Sequence, residues 1–322
     1  MKRALTWFVI FLITLILFSC AKEKQITIAV IPKATSHVFW NMIHAGAEKA
    51  SRDLGVPIIW QGPQKEDDRE QQINVVQNFI SRGVSGIVLA PLDEVALIRP
   101  VKAARKRNIP VVIIDSDLKE KEYSSFVATD NYLGGKIAAE HLAGLLGGQG
   151  NVLLLRYVEG SASTTKREKG FLETMAESAP NVNLVSADQH AGVTVESALQ
   201  VSQNLLNKYA ELDGIFCPNE SSTFGMLRAL KTAGRAGEIK FIGFDASGPL
   251  LEALRNGEIH GLVVQNPFKM GYLGVKTCLA VIKGETVEPR IDTGVQIVTV
   301  ENMDDPTIQE IISPDIKKWL GE

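Results

Sequence analysis

The chain has 322 residues, with 34 Lys and Arg against 37 Asp and Glu, a formal net charge of −3 and 45% hydrophobic residues. That length and apolar content supply enough buried surface for two domains of ordinary size. The mildly acidic balance, with Lys and Arg scattered, excludes a phosphate-neutralising nucleic-acid surface, and three cysteines without metal-ligand spacing indicate no metal centre.

At the N-terminus, Met1-Lys2-Arg3 precedes an apolar run from Ala4 to Phe18, then Ser19-Cys20 and a charged "AKEK". A basic start, a short apolar core and a small residue before the cut fit a signal peptide over residues 1–19 better than a membrane span. The spacing Leu17-Phe18-Ser19-Cys20 resembles a bacterial lipobox. The resemblance implies that Cys20 becomes the lipid-modified first residue of an exported protein in the periplasm or at the cell surface, tethered to the membrane by that lipid alone. Loss of Lys2 and Arg3 takes Lys and Arg from 34 to 32 and the net charge to −5. Cys217 and Cys278 are expected as buried free thiols.

From Gln25 onward, short β-branched runs alternate with amphipathic segments. The strands predicted in order are "ITIAVI", "VPIIWQ", "GIVLAP", "IPVVIID", "NVLLLRY", "NVNLVSA", "DGIFCP", "IKFIGFD" and "GLVVQN". The helices between them are predicted over Phe39–Leu54, Arg69–Arg82, Leu92–Lys106, Asn131–Leu146, Lys166–Ser178, Thr194–Tyr209, Thr223–Ala233 and Pro249–Asn256. Near-continuous apolar strands alternating with helices predict an α/β protein with parallel sheets covered on both faces. So many strands divide more readily between two doubly wound halves than within one, and the rhythm pauses at Ser124–Gly135.

In open parallel sheets, ligands bind beyond the carboxyl ends of the strands. Those ends carry Lys33, His37, Phe39 and Trp40, then Asp93, then Asp115, Ser116 and Asp117. The second half offers Arg156 and Glu159, Asn219 and Glu220, Asp245, and Gln265 with Asn266. A monosaccharide presents hydroxyls that each cost roughly 1–3 kcal/mol if buried unpaired. Carboxylates, amides and guanidinium groups can re-pair them, and an aromatic ring suits the apolar C–H face. Phe39 and Trp40 are adjacent on a helix start, about 100° apart, so one packing face does not readily bury both. Asp93, Asp117 and Glu220 sit where helices begin and read as caps or turn formers. Asp115 and Asp245 are compatible with either role.

The ordered motifs "TSHVFWNMIHAGAEKA", "INVVQNFISRGVSGIVLAPLD", "NIPVVIIDSD", "VATDNYLGGKIAAEHL", "SASTTKREKGF", "LDGIFCPNESSTFGMLRAL", "FIGFDAS" and "GLVVQNPFKMGYLGVKTCL" resemble the ribose-binding-like periplasmic proteins of sugar ABC transporters. The resemblance implies two doubly wound, Rossmann-like lobes joined by three crossovers, with a sugar held in the cleft by hinge closure. It places the N-terminal lobe at 25–129 plus 266–294 and the C-terminal lobe at 130–265 plus 295–322. Phe39 and Trp40 match the family's stacking aromatics, Asp115 its hydroxyl-binding aspartate and Arg167 the second-lobe arginine. Asn219, Asp245 and Gln265 match its other polar ligands. His37, Ala90 and Ser116 depart from the pattern by replacing two asparagines and an arginine, so a ligand other than ribose is expected. "IPK" and "DSD" resemble loops of the binding protein for the furanosyl autoinducer, which implies ligand contact for Lys33, although Thr165–Lys166–Arg167 does not match that protein's second lobe. Another aldose, a deoxy sugar and a polyol such as inositol stay open.

The expected function is that of a monomeric, extracytoplasmic solute-binding lipoprotein delivering its ligand to permease subunits. The alternative is a ligand-presenting sensor for chemotaxis or signalling. A sugar-responsive repressor would need a DNA-binding segment where the signal peptide stands. An enzyme is not expected, for the chain has no G-x-S-x-G, P-loop, G-x-G-x-x-G after the first strand or H-E-x-x-H. Neither cofactor nor metal is implied.

Overall fold

A computed structural model describes residues 25–321, so the expected signal peptide and Cys20 lie outside the described residues. The first part of the chain forms β1 (Ile28–Ile31), α1 (Val38–Leu54), β2 (Ile58–Trp60), α2 (Arg69–Arg82), β3 (Gly86–Leu89), α3 (Ile98–Lys106), β4 (Val111–Ile114) and β5 (Ser125–Ala128). The second part forms α4 (Asn131–Leu145), β6 (Gln149–Leu154), α5 (Ala162–Ser178), β7 (Asn181–Ser186), α6 (Val195–Lys208), β8 (Gly214–Phe216), α7 (Glu220–Thr232), β9 (Lys240–Phe244), α8 (Gly248–Arg255) and β10 (Gly261–Gln265). The remainder is α9 (Pro267–Ile282), β11 (Arg290–Asp292), β12 (Val295–Val298), α10 (Pro306–Ile312) and α11 (Lys317–Leu320).

Two six-stranded sheets result, ordered β11-β5-β4-β3-β1-β2 and β12-β10-β9-β8-β6-β7. Every pairing is parallel except β10 with β12. β1, β3 and β4 are buried throughout because helices cover both faces, which is why their sequences read as unbroken apolar runs. Separate apolar clusters fill the faces: Ile28, Val88 and Ile114 on one side of the first sheet, Ile31, Leu89 and Ile113 on the other. Leu153 with Phe241 and Leu154 with Phe244 do the same for the second. The α/β architecture of two doubly wound lobes read from the sequence is the one observed.

The chain leaves the first sheet after β5, returns after β10 and crosses again between β11 and β12. At the first two crossings a strand becomes a helix, and an Asx side chain caps the change: Asp130 accepts the Leu133 N–H and Asn266 the Lys269 N–H. Arg290 stacks over Phe126 and donates to the carbonyls of Ala128 and Thr129, tying the third crossing to the first. β12 joins the second sheet, but the tail does not end there. Arg52 of α1 donates to the carbonyls of Lys318 and Trp319, so α11 lies on the first lobe, a departure from the placement of all of 295–322 with the second.

Close helix pairs brace each lobe. A Cβ on Gly135 would stand 1.9 Å from the Arg167 carbonyl oxygen, and one on Gly170 would stand 2.1 Å from that of Tyr132, so α4 and α5 touch backbone to backbone. Gly46 and Gly271 do the same for α1 and α9. Cys217 and Cys278 are free, buried thiols in different clusters; burial pushes the Cys278 thiol up to about 12.

Candidate ligand site between the lobes

The carboxyl ends of both sheets face one cleft between the lobes. Asp115 directly follows β4 and Asp245 directly follows β9, the corresponding strands of the two lobes. Both adopt left-handed backbone, φ 60° and φ 68°, a conformation uncommon outside glycine that Asp tolerates best. Each N–H still donates to the next strand, Asp115 to the Val127 carbonyl and Asp245 to that of Val263. The matched turns put one carboxyl from each lobe on the cleft wall.

On the first-lobe wall, Lys33 Nζ lies 2.7 Å from Asp115 Oδ2, 2.6 Å from Ser116 Oγ and 3.2 Å from Ser163 Oγ of the other lobe. An ammonium has three N–H groups, and all three are taken within the protein. Ser116 does not reach the lining; its hydroxyl bridges Asp115 and Ser163. Phe39 and Trp40 meet edge to face at 5.0 Å, and both are buried. The Trp40 indole N–H donates to Glu66 Oε1 at 2.8 Å. His37 precedes α1, makes no side-chain cap bond and lies beside them on the lining.

The second-lobe wall centres on Arg167, buried to 2% exposure. Its guanidinium stacks 3.8 Å from the Phe244 ring centre, its Nε donates to Asn131 Oδ1 and its Nη1 to the Pro218 carbonyl, both at 2.8 Å. Burial pulls its pKa down, while the charges of Asp245 and Asp115 hold it up. Asp245 is raised by burial and held back by the Arg167 charge and the Gln265 bond. Gln265 Nε2 donates to Asp245 Oδ1 at 2.8 Å, leaving Gln265 Oε1 buried with no partner among the described residues. Asn219 is the N-cap of α7, with Oδ1 accepting from the Ser222 N–H and hydroxyl, so its cleft-facing position comes with a capping duty.

Of the ligand candidates Lys33, His37, Phe39, Trp40, Asp115, Ser116, Arg167, Asn219, Asp245 and Gln265, all but Ser116 line this cleft. Glu66, Tyr157, Ser163, Thr164 and Glu220 also line it and were not singled out as ligand residues. Glu220 reads from the sequence as a cap, yet Asn219 caps and Glu220 occupies the first turn of α7, facing the cleft. Burial, with the Asp245 charge next, pushes its carboxyl up to about 7. Asp93 accepts the Val95 and Ala96 N–H groups, as a turn former does; Asp117 accepts the Leu118 N–H and also meets Lys166 of the other lobe. Arg156 turns away, to the Ala187 carbonyl and Glu168.

A periplasmic binding protein domain matches residues 28–286. The chain belongs to the periplasmic binding protein family. This periplasmic binding protein is 31% identical over 272 residues to the ribose import binding protein of Escherichia coli K12, covering 84% of this chain and 90% of that protein. It superposes with a TM-score of 0.87 on a carbohydrate transporter solute-binding protein from Agrobacterium radiobacter in complex with D-arabinose, at 36% identity, covering 90% of this chain and 100% of that one. A solute-binding protein from Agrobacterium vitis with bound D-fucose gives 0.84 at 36% identity, covering 89% and 99%. The ribose-binding-like character read from the ordered motifs therefore holds for this periplasmic binding protein.

Proposed function

We propose that this periplasmic binding protein captures a monosaccharide or similar small polyol between its lobes by hinge closure and delivers it to an ABC permease. The observation that carries the reading is Gln265 Oε1, without a partner among the described residues and buried on the cleft wall beside Asp245. A buried acceptor without a donor costs about 1–3 kcal/mol, and a ligand hydroxyl would supply the donor. Phe39 offers an apolar face for the ring, and Asp115 and Asp245 offer carboxylates from opposite lobes. The lobes on this reading are 25–129 plus 266–294 and 130–265 plus 295–316, with α11 packed back on the first.

We propose further that the mature protein is a monomeric lipoprotein carried at Cys20. Cys20→Ser should move it from the membrane fraction to the soluble one, and retention at the membrane would contradict the anchor. For the ligand, a melting-temperature panel of pentoses, hexoses, deoxy sugars and polyols should show at least one compound raising the transition, because a ligand that binds only the folded state stabilises it. A panel without any shift removes the reading.

A further inference from the structure

The loop between β2 and α2 reads "QGPQKEDD" and has the look of a solvated acidic turn. Asp68 does cap α2, accepting the Gln71 N–H. Glu66 instead turns inward. Its Oε1 accepts the Trp40 indole N–H at 2.8 Å, and its Oε2 accepts the hydroxyl of Tyr157, from the other lobe, at 2.9 Å. Glu220 is its counterpart across the cleft: a second-lobe carboxylate whose Oε2 accepts the first-lobe Phe39 N–H at 3.4 Å. Each of the two acids is thus held by a donor from the opposite lobe, and each is completed only where the lobes meet. A carboxylate has about four acceptor sites, so both retain capacity for a ligand.

Their charge has a consequence for selection. Glu66, Asp115, Glu220 and Asp245 line the cleft against two cations, Lys33 and Arg167, and Lys33 has all three N–H groups engaged within the protein. Ser116, next to Asp115, brings no charge, and its hydroxyl is bonded to Asp115 and Ser163. Spare acceptors therefore outnumber spare donors, which favours a ligand that donates and penalises one bringing its own negative charge. We propose that Glu66 and Glu220 are specificity-determining residues that make the cleft select uncharged, hydroxyl-donating sugars or polyols over sugar acids and sugar phosphates. The inference rests on the monosaccharide reading above.

Calorimetric titration at pH 8 of the whole mature protein, and of its Glu66→Gln and Glu220→Gln variants, tests it. The neutral probes are D-arabinose, D-ribose, D-allose, D-fucose, D-galactose and xylitol; the acidic probes are D-galacturonate and D-ribose 5-phosphate. The unsubstituted protein should bind its best neutral probe at least 100-fold more tightly than either acidic one. At least one Gln variant should narrow that ratio tenfold or more while still unfolding in one cooperative transition without ligand. Tyr157→Phe, which leaves both acids in place, should weaken neutral probes and leave the ratio near its original value. Acidic probes binding as tightly as neutral ones, or both Gln variants keeping the original ratio, would overturn the inference and leave the monosaccharide reading standing. Absence of binding by every probe would overturn both.

Discussion

Glu220 shows how one carboxyl is tuned by its place. It opens α7 in a partly buried position beside Asp245, and burial holds its proton to about pH 7 from an ordinary value of 4.5. Between those values the folded protein binds more protons than the unfolded chain, so this group's contribution to stability is fully present below pH 4.5 and is lost as pH rises through about 7. Discounted for its partial exposure, the effect is on the order of 1–3 kcal/mol. The melting temperature of the ligand-free protein should therefore fall less steeply from pH 5 to pH 8 in Glu220→Gln than in the unsubstituted protein; identical slopes would contradict the assigned environment. Residues at strand ends such as Asp115, Asp245 and Gln265 were legible because parallel sheets present their carboxyl ends to a ligand. Tyr157 follows β6 by the same rule. Glu66 carried no such mark, because its place depends on a loop folding back onto Trp40 and on the other lobe arriving with Tyr157.

Among the elements, all nine predicted strands are observed, whereas β5, β11 and β12, short and without a long apolar run, were not predicted. Helix starts read less well, and two of the errors fell on the cleft. α5 begins at Ala162, a turn before the predicted Lys166, and that turn brings Ser163 and Thr164 to the lining. α7 begins at Glu220 rather than Thr223, which turns a supposed cap into a wall residue. α3 starts at Ile98 because Asp93 first holds a turn. In each case the amphipathic pattern marks the middle of the helix, whereas the first turn is set by local hydrogen bonds. The backbone contact of α4 with α5 carries its own prediction. Gly135→Ala should push its methyl into the Arg167 carbonyl and lower stability by about 1–3 kcal/mol, measured by denaturant unfolding, with ligand affinity falling too because Arg167 moves. Unchanged stability would show that the helices can separate without cost.

For the whole molecule, the proposed hinge closure would be an equilibrium between open and closed arrangements, which a ligand could shift only by differential affinity. Contacts between the lobes, Lys33 with Ser163, Glu66 with Tyr157 and Asp117 with Lys166, exist only when they meet. A ligand touching both Asp115 and Asp245 would add to them in the closed arrangement alone. The two-lobe plan was legible from the pause at Ser124–Gly135 and the ordered motifs. The return of α11 to the first lobe was not, since Arg52 and the Lys318 and Trp319 carbonyls lie far apart in sequence and no pattern joins them. On the proposed function, one small ligand is gripped from both lobes at once. Calorimetric titration of the compound giving the largest melting shift into the unsubstituted protein, Asp115→Asn and Asp245→Asn measures that grip. At least tenfold weaker binding, roughly 1.4 kcal/mol, is expected in each variant, one from each lobe. Unchanged affinity in either would contradict it.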